Sequence, residues 1–107
     1  MRVAAIQMAS GSNVSGNLLE AEKLISNAVA DGAEMVVLPE NFGMMGKAPD
    51  DILKVKEKPG QGPLQDFLSE QARRHGIVIA GGTIPLESDD SNHCRNSLLV
   101  YDRSGDC

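Results

Sequence analysis

Aromatic side chains are nearly missing: Phe42, Phe67 and Tyr101 are the three in 107 residues, and there is no tryptophan. The interior must therefore be aliphatic, and no aromatic platform for stacking bases is available. Basic clusters are missing too. The net charge is −5 and Arg73-Arg74 is the longest basic run, so the electrostatic footprint of a nucleic-acid partner is absent. No apolar run approaches the ~20 residues of a membrane span. Met1-Arg2 leads straight into Val3-Ala4-Ala5-Ile6, without the longer apolar stretch and small-residue cleavage site of a signal peptide. The expectation is a cytoplasmic chain with neither a nucleic acid nor a membrane as partner. Cys94 and Cys107 have no CxxC or Cys/His ligand spacing. Both read as plain thiols of a reducing compartment, and no metal-ligand cluster is offered.

What is present is an ordinary globular composition, 41% hydrophobic and 23% charged, which argues against global disorder. The length allows one domain at most, burying roughly two-thirds of its unfolded surface. Val3 to Met8, apolar apart from Gln7, predicts a buried first strand. A helix follows, with Asn17 as N-cap, Glu20 three residues on, and Ala21, Leu24, Ile25, Ala28 and Val29 on one face. Gly32 ends it by taking the left-handed conformation. Met35 to Leu38 is the second strand, so the chain starts as a βαβ unit with parallel strands and a right-handed crossover.

Asn41 to Gly62, with Gly43, Gly46, Gly60, Gly62, Pro49 and Pro59, predicts a long loop holding a short helical turn over Asp50 to Glu57. Such a loop is either the wall of a pocket or a surface excursion. Pro63 suits the first position of a second helix carrying Leu64, Phe67, Leu68, Gln71-Ala72 and His75 on one side, and Gly76 stops it. His75, in the last turn, suits the helix dipole and is read as structural. Ile77 to Gly81 is the third strand. Ala80-Gly81-Gly82 there permits the close approach of a ligand or backbone, or marks a bulge. Leu86 to Cys94 reads as a solvated loop, Ser97 to Tyr101 as a fourth strand, and Asp102 to Asp106 as a hairpin turn leading to a return strand.

The most informative stretch is Glu34 to Gly43. Met35 to Leu38 has no polar alternation, as in a strand buried on both faces. Pro39 has no N–H for the ladder and closes it. Glu40 is then the first charged group beyond the carboxyl end of an interior strand, the rim where open α/β sheets hold ligands. It is either a solvated loop side chain or a half-desolvated base.

Leu38-Pro39-Glu40-Asn41, the Gly-rich loop, the Ile-Ala-Gly-Gly strand and the Tyr-Asp-x-x-Gly turn together resemble the N-terminal part of the nitrilase superfamily of carbon-nitrogen hydrolases, over the whole chain. Pro39 to Gly46 and Gly81 to Pro85 are similar to segments of the Nit-type amidases, the group that includes deaminated-glutathione amidase. The resemblance implies an α/β (α+β) fold, the N-terminal part of an α-β-β-α sandwich, in the order β-α-β-(loop)-α-β-β. Residues 1–107 would then be an incomplete domain.

The resemblance also implies a Glu-Lys-Cys set, a thioester mechanism acting on a small amide or nitrile, no cofactor, and a homo-oligomer at full length. The glutamate carries over to Glu40. The lysine belongs to a Tyr-x-Lys-x-His motif that none of Lys23, Lys47, Lys54, Lys56 or Lys58 matches, and the nucleophilic cysteine lies further on. Cys94 follows His93, but neighbours in an extended chain point apart, and Cys107 is no better placed. The expectation is a fragment inactive by itself. The competing reading is a non-catalytic α/β module binding a small ligand or protein partner at the strand carboxyl ends.

Overall fold

A computed structural model describes residues 1–45, 51–90 and 93–107. Gly46, Pro49 and Asp50 of the expected long loop, and Ser91 and Asn92 of the loop expected after Leu86, lie outside the described residues. The element order is β1 (Val3–Ala5), α1 (Val14–Ala30), β2 (Met35–Leu38), a short 3-10 turn (Asp51–Val55), α2 (Pro63–His75), β3 (Val78–Glu87) and β4 (Cys94–Tyr101). This is the expected order. The sheet runs β1-β2-β3-β4, with β1, β2 and β3 parallel and β4 antiparallel to β3.

Two expectations change at β1. It ends at Ala5 rather than Met8, and Val3 and Ala5 are exposed rather than buried. The cause is its neighbour. The Ile6 N–H still donates to the Val37 carbonyl, but β2 stops at Leu38-Pro39, so Gln7 and Met8 have no ladder to join. β1 is also an edge strand, with a partner on one side only among the described residues.

α1 starts earlier than expected. Asn13, not Asn17, is the N-cap, its Oδ1 accepting the Gly16 N–H at 2.9 Å. At the other end Ala33 N–H reaches Ala28 O and Gly32 N–H reaches Val29 O, with Gly32 at φ 91°. That is a Schellman end, and the expected stop holds. Pro63 opens α2 and Gly76, at φ 61°, closes it, both as expected.

β3 and β4 are longer than expected. Ile84–Glu87 pairs with Cys94–Ser97 after a register break between Gly81 and Ile84, so each strand supplies the partner that makes the other a strand. Leu86, Glu87 and Cys94 therefore belong to the sheet, and β3 ends only at Glu87. After β4, Asp102 Oδ1 accepts the Ser104 and Asp106 N–H groups, and Gly105 takes φ 88°.

The helices pack on each other, with Glu22 and Arg74 paired between them at 3.3 Å. They cover one face of the sheet. Val36, Leu38, Ile79 and Tyr101 from that face meet Ala21, Ile25, Leu64, Leu68 and Ala72 in one buried cluster. On the opposite face Val3, Leu98 and Val100 are 53, 59 and 48% exposed. Among the described residues no element lies over them.

Candidate functional site

Leu38 pairs with Gly81 at the last rung of the β2–β3 ladder. Pro39 then turns the chain out, and Glu40 stands at the carboxyl end of a strand flanked on both sides. Its side chain is exposed rather than half-desolvated. Among the described residues no hydrogen bond or ion pair is made by its carboxylate.

The backbone around Glu40 is held far more firmly than its side chain. Asn41 takes φ 53°, and its N–H donates to Thr83 Oγ1 at 3.2 Å. The Phe42 ring is fully buried, 6.3 Å from Phe67, and the Phe42 carbonyl accepts from Ser10 Oγ at 2.8 Å. Gly43 seats against α2 so closely that a Cβ there would lie 2.5 Å from Leu64 Cδ2. Any larger residue would have to push the buried Leu64 side chain aside.

The Gly43 carbonyl accepts from Asn17 Nδ2 at 2.9 Å. Asn17 also donates to Gly11 O at 2.8 Å and accepts the Gly11 N–H at 2.9 Å. The residue expected to cap α1 is thus buried inside its first turns and ties the loop after β1 to the loop after β2. Its signal in the sequence is the same amide that suggested a cap, and which loop it holds depends on residues 26 positions away.

Glu57 is a second polar group that local sequence does not reveal. It is buried, and its carboxylate accepts the N–H of Leu64 at 2.6 Å and of Gln65 at 3.1 Å. It caps α2 in place of Gly62, which has no side chain to do so. Gln65 Nε2 donates to Glu57, to Lys58 O and to Gln61 O, folding 57–62 around the helix start. This part of the long loop does line a cleft of about 310 Å³, with Lys54, Val55 and Lys56 facing Val14, Pro63 and Leu64. Glu40 is not among its lining residues, so that wall belongs to the helix side of the sheet.

The other titratable candidates stay apart from Glu40. Cys94 is half-buried and pairs with Glu87, six residues along β3 from Gly81, or roughly 20 Å at strand rise. His93 Nδ1 lies 2.8 Å from Asp90 Oδ2, so its ring engages Asp90. Cys107 is exposed. Lys54 pairs with Asp51 at 3.4 Å. His75 sits in the last turn of α2, its Nε2 buried without a hydrogen-bond partner among the described residues, as is Gln71 Oε1 one turn earlier. Tyr101 is pushed up to about 12, first by burial, then by negative charge at Cys107, Glu57 and Asp66. Among the described residues no group of three or more His, Cys, Asp or Glu could hold a metal ion, and no helix is long and apolar enough to cross a membrane.

Residues 2–107 match the family model described as Carbon-nitrogen hydrolase. The chain is 40% identical over 83 residues to a deaminated glutathione amidase of Synechocystis sp., covering 78% of this chain and 30% of that protein. It is 33% identical over 105 residues to a deaminated glutathione amidase of Yersinia enterocolitica, covering 97% and 36%. Among solved structures it is similar to Saccharomyces cerevisiae Nit3, a member of branch 10 of the nitrilase superfamily, with a TM-score of 0.82, 28% identity, and coverage of 96% of this chain and 40% of that one. The chain thus spans about a third of the length of the curated relatives it matches. The expected family and its Nit-type character are both found, and the chain belongs to the carbon-nitrogen hydrolases of the nitrilase superfamily.

Proposed function

We propose that these residues form the N-terminal part of an amidase domain and supply Glu40 as its general base, while a lysine and a nucleophilic cysteine come from chain beyond the 107 residues. The substrate class is a small amide. In this scheme Glu40 takes the proton from the cysteine thiol as sulfur attacks the amide carbon. The lysine ammonium holds the oxyanion of the tetrahedral intermediate. Collapse breaks the carbon–nitrogen bond, the nitrogen leaves as ammonia with the proton returned from Glu40, and a thioester remains. Water then attacks the thioester with Glu40 again as base, releasing the acid and the free thiol. No cofactor is required.

The observation that carries the reading is the position of Glu40. It is the first charged residue after Leu38-Pro39, off an interior strand of a chain matched to the family from residue 2 to 107. The test is ammonia release by the full-length protein from small aliphatic amides, propionamide through succinamide. Wild type should turn over, and Glu40→Gln, which keeps the shape but cannot accept a proton, should lose activity without loss of fold. A wild type inert toward all of them, or a Glu40→Gln variant near wild-type activity, would defeat the proposal.

A further inference from the structure

On the reading of Glu40 as a base, on which the role given to Thr83 rests, the aim of the Glu40 backbone matters to the rate. Upstream the chain is fixed at Leu38 by its rung with Gly81. Downstream it is fixed at Phe42 and Gly43 by Ser10 and Asn17. Between these anchors lie Pro39, Glu40 and Asn41. The ring of Pro39 fixes its φ, so with both ends held the backbone path through Glu40 is left to Pro39 ψ and the torsions of Glu40 and Asn41.

Asn41 is the one non-glycine at positive φ among the described residues. Asparagine visits that region more readily than most residues but does not prefer it, so something has to hold it there. The hold comes from β3. At the register break between Gly81 and Ile84 the strand runs past the end of β2, and the half-buried Thr83 reaches the vacated position. Its Oγ1 accepts the Asn41 N–H at 3.2 Å, and its O–H donates to Asn41 Oδ1 at 3.4 Å. One hydroxyl therefore satisfies both a backbone donor and a side-chain acceptor of the residue next to Glu40. Bulges that re-aim a side chain in this way are enriched beside active sites.

We propose that Thr83 is a positioning residue for Glu40, locking Asn41 in the left-handed conformation so that the carboxylate is presented to the reacting thiol. Thr83 does not touch substrate in this account. Removing it leaves the carboxylate chemically intact but aimed loosely, and a misplacement of about 1 Å can cost on the order of 10²-fold in rate.

The test uses the full-length protein and the amides that wild type turns over. Thr83→Val, which keeps the shape and removes both bonds, should lower kcat about 10- to 100-fold with little change in KM. Thr83→Ser should restore most of the rate. In an Asn41→Gly background Thr83→Val should cost little, because glycine adopts positive φ unaided. Thr83→Ala is read beside Thr83→Val, with circular dichroism to establish fold, so that crowding by the valine methyl is not mistaken for lost aim. Wild-type kcat in a folded Thr83→Val or Thr83→Ala, a change confined to KM, or an equal loss in the Asn41→Gly background would overturn the proposal. Glu40→Gln, run in parallel, separates the two readings. If it kills turnover while Thr83→Val does not, the role of Thr83 fails and that of Glu40 stands.

Discussion

The carboxylate of Glu57 lies 2.6 Å from the backbone nitrogen of Leu64, seven residues later, and closes the N-terminus of α2 from the preceding loop. Gly62, at the cap position, has φ 141°, and a Cβ there would fall 2.3 Å from Glu57 Cδ. The glycine therefore makes room for the carboxylate that replaces its missing cap. Glu57 also joins the sheet through its own backbone, donating to Pro85 O and accepting from the Glu87 N–H. One residue thus connects loop, helix and β3.

Glu57→Ala in the full-length protein should lower stability by about 2–3 kcal/mol, from a lost cap and buried N–H groups left unpaired. Glu57→Gln, which keeps an acceptor but turns an NH₂ toward those donors, should fall between alanine and wild type. Chemical denaturation of the three proteins checks the order. A Glu57→Ala variant as stable as wild type would mean that water caps the helix equally well.

Asn17 makes the corresponding prediction for the loop that carries Glu40. Asn17→Asp removes both donors and aims a carboxylate at the Gly11 and Gly43 carbonyls. It should destabilise the full-length protein by about 2–4 kcal/mol, and it should reduce turnover even at temperatures where the fold is intact, since Gly43 lies three residues from Glu40. Thermal melts and amidase assays on the same preparations check both parts. A variant with wild-type activity and a lowered Tm would confine Asn17 to stability.

These two residues also mark where the sequence stops being legible. The helices were readable because their punctuation is local: Gly32, Pro63 and Gly76 act through their own φ or missing N–H, and each sits where expected. The order of elements along the chain and the parallel βαβ start followed from the same alternation, and the resemblance anticipated the family. Asn13 and Asn17 are equally good caps by type, and the choice between them was made by Gly11 and Gly43, which no helical pattern contains. The end of β1 is not legible locally because it is set by Pro39 in another strand. β3 and β4 run beyond what local pattern shows because Ile84–Glu87 and Cys94–Ser97 are strand only against each other. At the candidate site the position of Glu40 just past the strand end was legible from its own neighbours, whereas the contact of Asn41 with Thr83 spans 42 positions and depends on a register break in another strand.

Tyr101 gives a prediction in pH. Burial on the helix side, with Cys107, Glu57 and Asp66 adding negative charge, moves it from 10.0 to about 12. Its folded pKa is therefore the higher one. The unfolded chain gives up the proton first, so the stabilisation is whole below about pH 10 and is lost as pH rises from there toward 12. Tyr101 is the one tyrosine in the chain, and the ultraviolet absorbance of tyrosinate reports it without overlap. A titration of the 107-residue chain should show its midpoint well above that of free tyrosine. A midpoint near 10 would mean that the cleft of about 370 Å³ bordered by Tyr101, Leu99 and Ser69 admits water to the hydroxyl.

The bare face of the sheet leads to the final prediction. Val3, Leu98 and Val100 are about half exposed, and they share that face with Met35, Val37 and Val78 by register. Contiguous apolar patches beyond a few hundred Å² are uncommon on soluble monomers. At about 25 cal/mol per Å² the burial missing from such a patch is comparable to the stability of a small domain. β1 and β4 are also open edges among the described residues, available to pair with another chain. The 107-residue chain alone should therefore self-associate and bind ANS. Leu98→Lys with Val100→Lys, which places charge on that face without touching the helix-side core, should shift it toward monomer. Light scattering across a concentration series checks both. A monodisperse, ANS-silent monomer from the unmodified chain would show that these strands close a core without a second layer, and the view of this sheet as one side of a sandwich would fall with it.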